Sequence, residues 1–134
     1  MTLVVDASIA VKWVLPEENS DRAAALRRPE ESFVAPNLIA AEIGNAIWKR
    51  VMWQDFPLAD GLSALDLAFA HFSRLMATEE LAARATEIAV ELKHPIYDCF
   101  YLALAERERC PLVTADKRLL TAVKKFKGVE VRAL

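Results

Sequence analysis

Leu3-Val4-Val5-Asp6, within MTLVVDASIAVKWVLP at 1–16, is the stretch whose reading decides the fold. Three apolar, mostly β-branched residues run straight into a carboxylate. Leu-Val-Val is consistent with a strand buried on both faces, as in a parallel sheet. Such sheets bind ligands beyond the carboxyl ends of their strands. Asp6 therefore stands where an α/β protein places its chemistry. The arrangement recurs at Leu112-Val113-Thr114-Ala115-Asp116. Asp6 and Asp116 face one crevice if the two strands are neighbours.

Outward from these two points, the chain alternates short strands with helices. SFVA at 32–35 reads as a strand and VEVRAL at 129–134 as an edge strand. Ser8 is placed to cap a short helix over 9–15, which Pro16 stops. Residues 21–28 read as a surface helix. Asn37 is placed to cap a long helix to about Trp53. A further helix spans 58–70, with Leu58, Leu62, Leu65 and Phe69 on one face. Residues 71–76 fit either its continuation or a strand. Thr78 is placed to cap a helix over 78–93, broken by His94-Pro95. Residues 97–109 form a strongly apolar helix, and Asp116 opens a last one that Gly128 ends. This alternation predicts an α/β fold with a parallel sheet covered on both faces.

The length of 134 residues suits one domain over 1–134, and a hydrophobic fraction of 54% supports a core. A net charge of −2 excludes generic electrostatic binding of nucleic acid, so any such contact needs a local basic patch. Cys99 and Cys110 form no metal pattern, and two thiols in a domain of this size suggest a reducing compartment. Charges interrupt every apolar run, so no membrane span is expected. The first apolar run contains Asp6 and lacks a basic flank, unlike a signal peptide. A cytoplasmic protein is the expectation.

Two further acids lie in apolar surroundings. Glu42 sits in NLIAAEIGNAIW with Asn45 three residues on, and Asp98 sits in the first turn of IYDCFYLALA. A Glu on a buried helix face is costly unless something neutralises it. A helix N-terminus favours a carboxylate such as Asp98. Each acid also has an ordinary reading as a cap, a first-turn acid or an ion-pair partner. Four carboxylates gathered together would repel and rise in pKa unless a cation were present. Oxygen ligands without His or Cys favour Mg²⁺ or Mn²⁺ over zinc. Such a cluster suits metal-assisted phosphodiester hydrolysis.

VVDASIAVKW, E-x-x-N-A-I-W-K, YDCFYLALAE and LVTADKRL, in this order and spacing, resemble the PIN domains, and among them the VapC-type toxin ribonucleases. The resemblance covers the chain from Leu3 to the last strand. It implies a parallel sheet of about five strands flanked by helices, and a Mg²⁺- or Mn²⁺-dependent endoribonuclease acting on RNA. It also implies a cognate antitoxin, and a homodimer that forms a heterotetramer or larger assembly with it. Asp6, Glu42, Asp98 and Asp116 match the acidic quartet. Ser8, Asn45 and Thr114 match polar positions beside it. Lys117, Arg118 and Leu119 follow Asp116 where many relatives carry another Asp or Asn, which makes one metal ion the expectation. A catalytically inactive RNA- or protein-binding module is the alternative. A haloacid-dehalogenase-type reading fails because Ser8 stands where a second Asp is needed.

Lys12, Lys49, Arg50, Lys117 and Arg118 are candidates for holding RNA phosphates. His71 and His94 are not expected to be catalytic. Trp48, Met52, Leu62 and Phe69 are expected to line a groove for a partner helix. The antitoxin is expected to lay an amphipathic tail there and to reach the acids with a basic side chain.

Overall fold

In the computed structural model, which describes residues 1–134, the first strand and the helix after it meet at Asp6. Strand β1 spans Thr2–Val5 and helix α1 spans Ala7–Val14. They are followed by α2 (Ser20–Ala24), β2 (Ser32–Pro36), α3 (Ile39–Trp53), α4 (Leu58–Ala70) and β3 (Arg74–Met76). Then come α5 (Ala82–Leu92), α6 (Ile96–Glu108), β4 (Leu112–Thr114), α7 (Lys117–Ala122) and β5 (Val131–Ala133). The five strands form one parallel sheet in the order β3-β2-β1-β4-β5.

Leu3, Val4 and Val5 are all buried. Successive strand residues point to opposite faces, so both faces of β1 are covered. One group of helices is gathered by α1, which packs against α2, α3, α4 and the central strands. The other is led by α6, which lies on β1, β2 and β4 and packs against α5. Tyr101 through Ala105 are buried without a break, so the middle of α6 is enclosed on all sides. Trp13 anchors the α1 side: its indole N–H donates to the Ala23 carbonyl at 2.8 Å, and its ring meets Phe33 edge-on at 4.9 Å. Trp48 and Trp53 are exposed.

Several local expectations are corrected. Asp6 caps α1, not Ser8, because the Asp6 carboxylate accepts the Ile9 N–H while the Ser8 hydroxyl turns back onto Asp6. Asn37 does not cap α3. Its Oδ1 accepts the Thr78 N–H at 3.3 Å and its own N–H donates to Met76, tying the ends of β2 and β3 together. Thr78 opens a short 3₁₀ turn, and α5 begins only at Ala82. The helix expected over 21–28 is α2 and stops at Ala24, because Leu26 and Arg27 close tighter three-residue turns. Residues 71–76 divide into a turn and the three-residue strand β3, which pairs with β2.

Helices α3 and α4 come together at Gly61, where an added Cβ would stand 2.7 Å from Ile47 Cγ2. The seam is an apolar groove lined by Ile47, Trp48, Val51, Leu58, Leu62 and Leu65, with Gly44 and Gly61 in its floor. Trp48, Leu58 and Leu62 are at least half exposed, and Met52 stands exposed beside them. Phe69 is not part of this groove; it is half-buried against the core. No helix is long and apolar enough to cross a membrane.

The close approach at Gly61 makes a stability prediction. Gly61→Val forces the seam apart against the stiff, β-branched Ile47 and is expected to cost roughly 1–3 kcal/mol. Urea unfolding measures it, and an unchanged midpoint would show that α3 and α4 separate freely.

Candidate active site

Order β3-β2-β1-β4-β5 places the reversal of winding between β1 and β4, the point where an open parallel sheet leaves a crevice at its carboxyl edge. Val5 registers with Val113, so Asp6 arrives beside Thr114. The Asp6 side chain is only 5% exposed. Ser8 Oγ donates to its Oδ1 at 2.5 Å and the Thr114 hydroxyl donates to its Oδ2. Ser8 Oγ also accepts the Ala115 N–H at 3.0 Å, and Thr114 Oγ1 accepts the Asp116 N–H at 3.0 Å. Two hydroxyls thus knit the loop after β4 to the acid after β1. Ser8 and Thr114, expected beside the site, hold its central carboxylate.

Burial pushes the Asp6 carboxyl up to about 6, against hydrogen bonds from Ser8, Thr114 and Ile9 that favour the anion; Asp98 adds repulsion. Glu42, half-buried on α3, is also raised, first by burial and then by Asp98, while a hydrogen bond from Tyr101 opposes the rise. Asp6, Glu42 and Asp98 therefore share one electrostatic site. Asp116 is tied to it only through its backbone, whose N–H donates to Thr114, while its carboxylate caps α7 by accepting the Arg118 and Leu119 N–H groups. Asn45 lies exposed one turn beyond Glu42 and makes no hydrogen bond to the cluster.

Two residues that sequence reasoning passed over touch the acids directly. Tyr101 is fully buried, and its hydroxyl donates to Glu42 Oε1 at 2.5 Å. Burial and then Glu42 hold its pKa well above the usual phenol value, so it remains a donor. The signal was present: a Tyr in an otherwise apolar helix needs a partner for its hydroxyl, and Tyr101 is one turn from Asp98. His94, not expected to be catalytic, has Nε2 2.6 Å from Asp98 Oδ2. It precedes Asp98 by four residues, across Pro95.

No three His, Cys, Asp or Glu side chains close on one point as a finished metal cage. The oxygen-only donor set of Asp6, Glu42, Asp98 and Asp116 nevertheless fits a hard divalent cation, since each ionised carboxylate keeps lone pairs beyond those its internal donors occupy.

Residues 3–125 match the PIN domain family. Ribonuclease VapC3 of Pyrobaculum aerophilum is 30% identical over 121 residues, spanning 89% of this chain and 92% of that protein. Ribonuclease VapC9 of Mycobacterium tuberculosis is 36% identical over 121 residues, spanning 87% of each. The crystal structure of VapBC2 from Rickettsia felis bound to a fragment of promoter DNA shares the fold, with a TM-score of 0.70 at 15% identity over 100% of this chain and 99% of that one. The chain belongs to the PIN-domain family, and the relatives it matches over most of their length are VapC ribonucleases.

The buried acid sets a pH dependence. Between pH 3.8 and about 6 the folded Asp6 keeps a proton that the unfolded chain has released. Stability from this group therefore falls as pH rises through that window and levels off above it. The full difference is on the order of 3 kcal/mol. Asp6→Asn is expected to be more stable than wild type at pH 7 in EDTA, with the difference shrinking towards pH 4. Urea midpoints across that range measure it, and a flat difference would contradict a proton-retaining Asp6.

Proposed function

We propose that the chain is a VapC-type, metal-dependent endoribonuclease, the toxin of a toxin–antitoxin pair. The observation that carries this reading is the buried Asp6 at the junction of β1 and β4, electrostatically joined to Asp98, with Glu42 joined to the same Asp98. Asp6, Glu42, Asp98 and Asp116 are the residues that would hold Mg²⁺ or Mn²⁺, which supplies a Lewis acid and an activated water for phosphodiester hydrolysis. Ser8 and Thr114 orient Asp6, Tyr101 orients Glu42, and His94 orients Asp98. Donors that fix a ligand's orientation are part of what makes a site ready.

The partner reading rests on the α3–α4 groove. Its exposed Trp48, Leu58 and Leu62 suit the apolar face of an amphipathic antitoxin tail, with a basic side chain reaching the acids. A solved structure of the same fold is a toxin–antitoxin complex from Klebsiella pneumoniae, which supports such a partner. A homodimer in the cytoplasm, joining its antitoxin as a heterotetramer or larger, completes the reading.

Two measurements test it. Loss of a residue that merely supports a metal ligand costs about 10–100-fold, so Asp98→Asn is expected to cost more than this in RNA cleavage while the fold stays intact. Full cleavage by that variant would remove Asp98 from the chemistry. Manganese is expected to raise the melting temperature, by the equivalent of about 2.7 kcal/mol at a hundredfold excess over Kd. EDTA is expected to abolish cleavage, and activity that survives exhaustive chelation would overturn the metal assignment.

A further inference from the structure

The cations that neighbour the acidic motifs in sequence separate in space. Lys12 and Arg50 are both taken up by Glu17, at 2.9 and 3.1 Å. Lys49, Lys117 and Arg118 are exposed and form no ion pair, and of these Lys117 and Arg118 lie side by side. Those two, with His94, Thr121 and Ala122, line an open cleft of about 410 Å³. The cleft adjoins the acids twice. His94 forms part of its wall and also contacts Asp98 at 2.6 Å, and Lys117 directly follows Asp116. From Lys117 to Val129 the chain carries Lys117, Arg118, Lys124, Lys125 and Lys127 and no acid at all.

We propose that this cleft grips a backbone phosphate of single-stranded RNA next to the linkage presented to the acids. The proposal rests on the ribonuclease reading for its substrate class. A polyanion approaching clustered carboxylates is repelled, and a chain of net charge −2 offers it no general attraction. Local cations at the rim offset that repulsion where it is strongest. A strand that presents one linkage to Asp6 and Asp98 must carry its next phosphates over the adjoining surface, and Lys117 and Arg118 stand on that surface. Arg118 brings a planar fork suited to two phosphate oxygens, and Lys117 a compact point charge. Phosphate contacts position a strand without reading its bases. The cleft therefore sets register and affinity and leaves sequence choice to other surfaces.

The test uses the full chain in EDTA with a labelled single-stranded RNA of about a dozen nucleotides, read by anisotropy between roughly 50 and 200 mM salt. Lys117→Ala/Arg118→Ala is compared with Arg28→Ala/Arg107→Ala, which removes the same charge from exposed residues that precede β2 and β4. The cleft variant is expected to bind roughly tenfold more weakly, and its log–log salt slope to fall by about 0.7 for each lost phosphate contact. Equal losses in both variants, or none in either, would overturn the cleft assignment. Tighter binding of labelled oligoglutamate than of the RNA at matched charge would assign the cleft to an acidic protein segment instead. Wild-type cleavage with magnesium is scored in parallel. Cleavage together with unaltered binding in the cleft variant sinks only the cleft. A binding difference without any cleavage sinks only the enzyme reading.

Discussion

The hydrogen bond from Thr114 to Asp6 joins two strand ends that are 108 residues apart in sequence, and the site depends on that closure. It exists only because β1 and β4 are neighbours. Their shared register brings an acid and a hydroxyl side by side where the sheet's winding reverses. Ser8 adds a second clasp from α1 to the loop after β4. Without these contacts Asp6 would be a buried carboxylate with one backbone N–H, a state that costs several kcal/mol. With them, the acid stays buried and oriented at the crevice.

The same contacts divide the labour of the fold. Helix α6 is packed on every side over Tyr101–Ala105, so it is a rigid carrier for Tyr101 and, one turn earlier, for Asp98. The Tyr101 hydroxyl reaches across to α3 and takes Glu42, so a core residue of one helix orients an acid of another. A buried phenol needs a partner and a half-buried carboxylate needs a donor, and the pair satisfies both. The site is thus built from side chains that would otherwise be burdens on the core. Exposed Trp48, Leu58 and Leu62 gather at the α3–α4 seam, on helices that Gly61 allows to approach closely.

Much of this was legible beforehand. LVVD and LVTAD announce parallel strands ending in acids, because a continuous apolar run is what a strand covered on both faces requires. Asp98 in the first turn of α6 and the strongly apolar character of that helix were equally plain. The misreadings concern side chains with two possible partners. Ser8 and Asn37 both have the chemistry of helix caps, yet each side chain is spent on a neighbouring strand or loop. A local rule cannot see a partner that lies far away in the chain, and short polar side chains bond equally well to either. Phe69 had the right helical spacing for the groove and turned to the core instead.

The sequence by itself determined the class of fold and the four candidate acids, because burial patterns and carboxylates in apolar context are properties of nearby residues. Only the tertiary structure decided which donors hold those acids. Tyr101 meets Glu42 across 59 residues, and His94 turns back over Pro95 to Asp98. It also decided which cations are free: Glu17 occupies Lys12 and Arg50, whereas Lys49, Lys117 and Arg118 stay open, the last two following Asp116. Each of these outcomes turns on a distance between elements, and such distances are set by how helices and sheet pack, not by the spacing of residues along the chain.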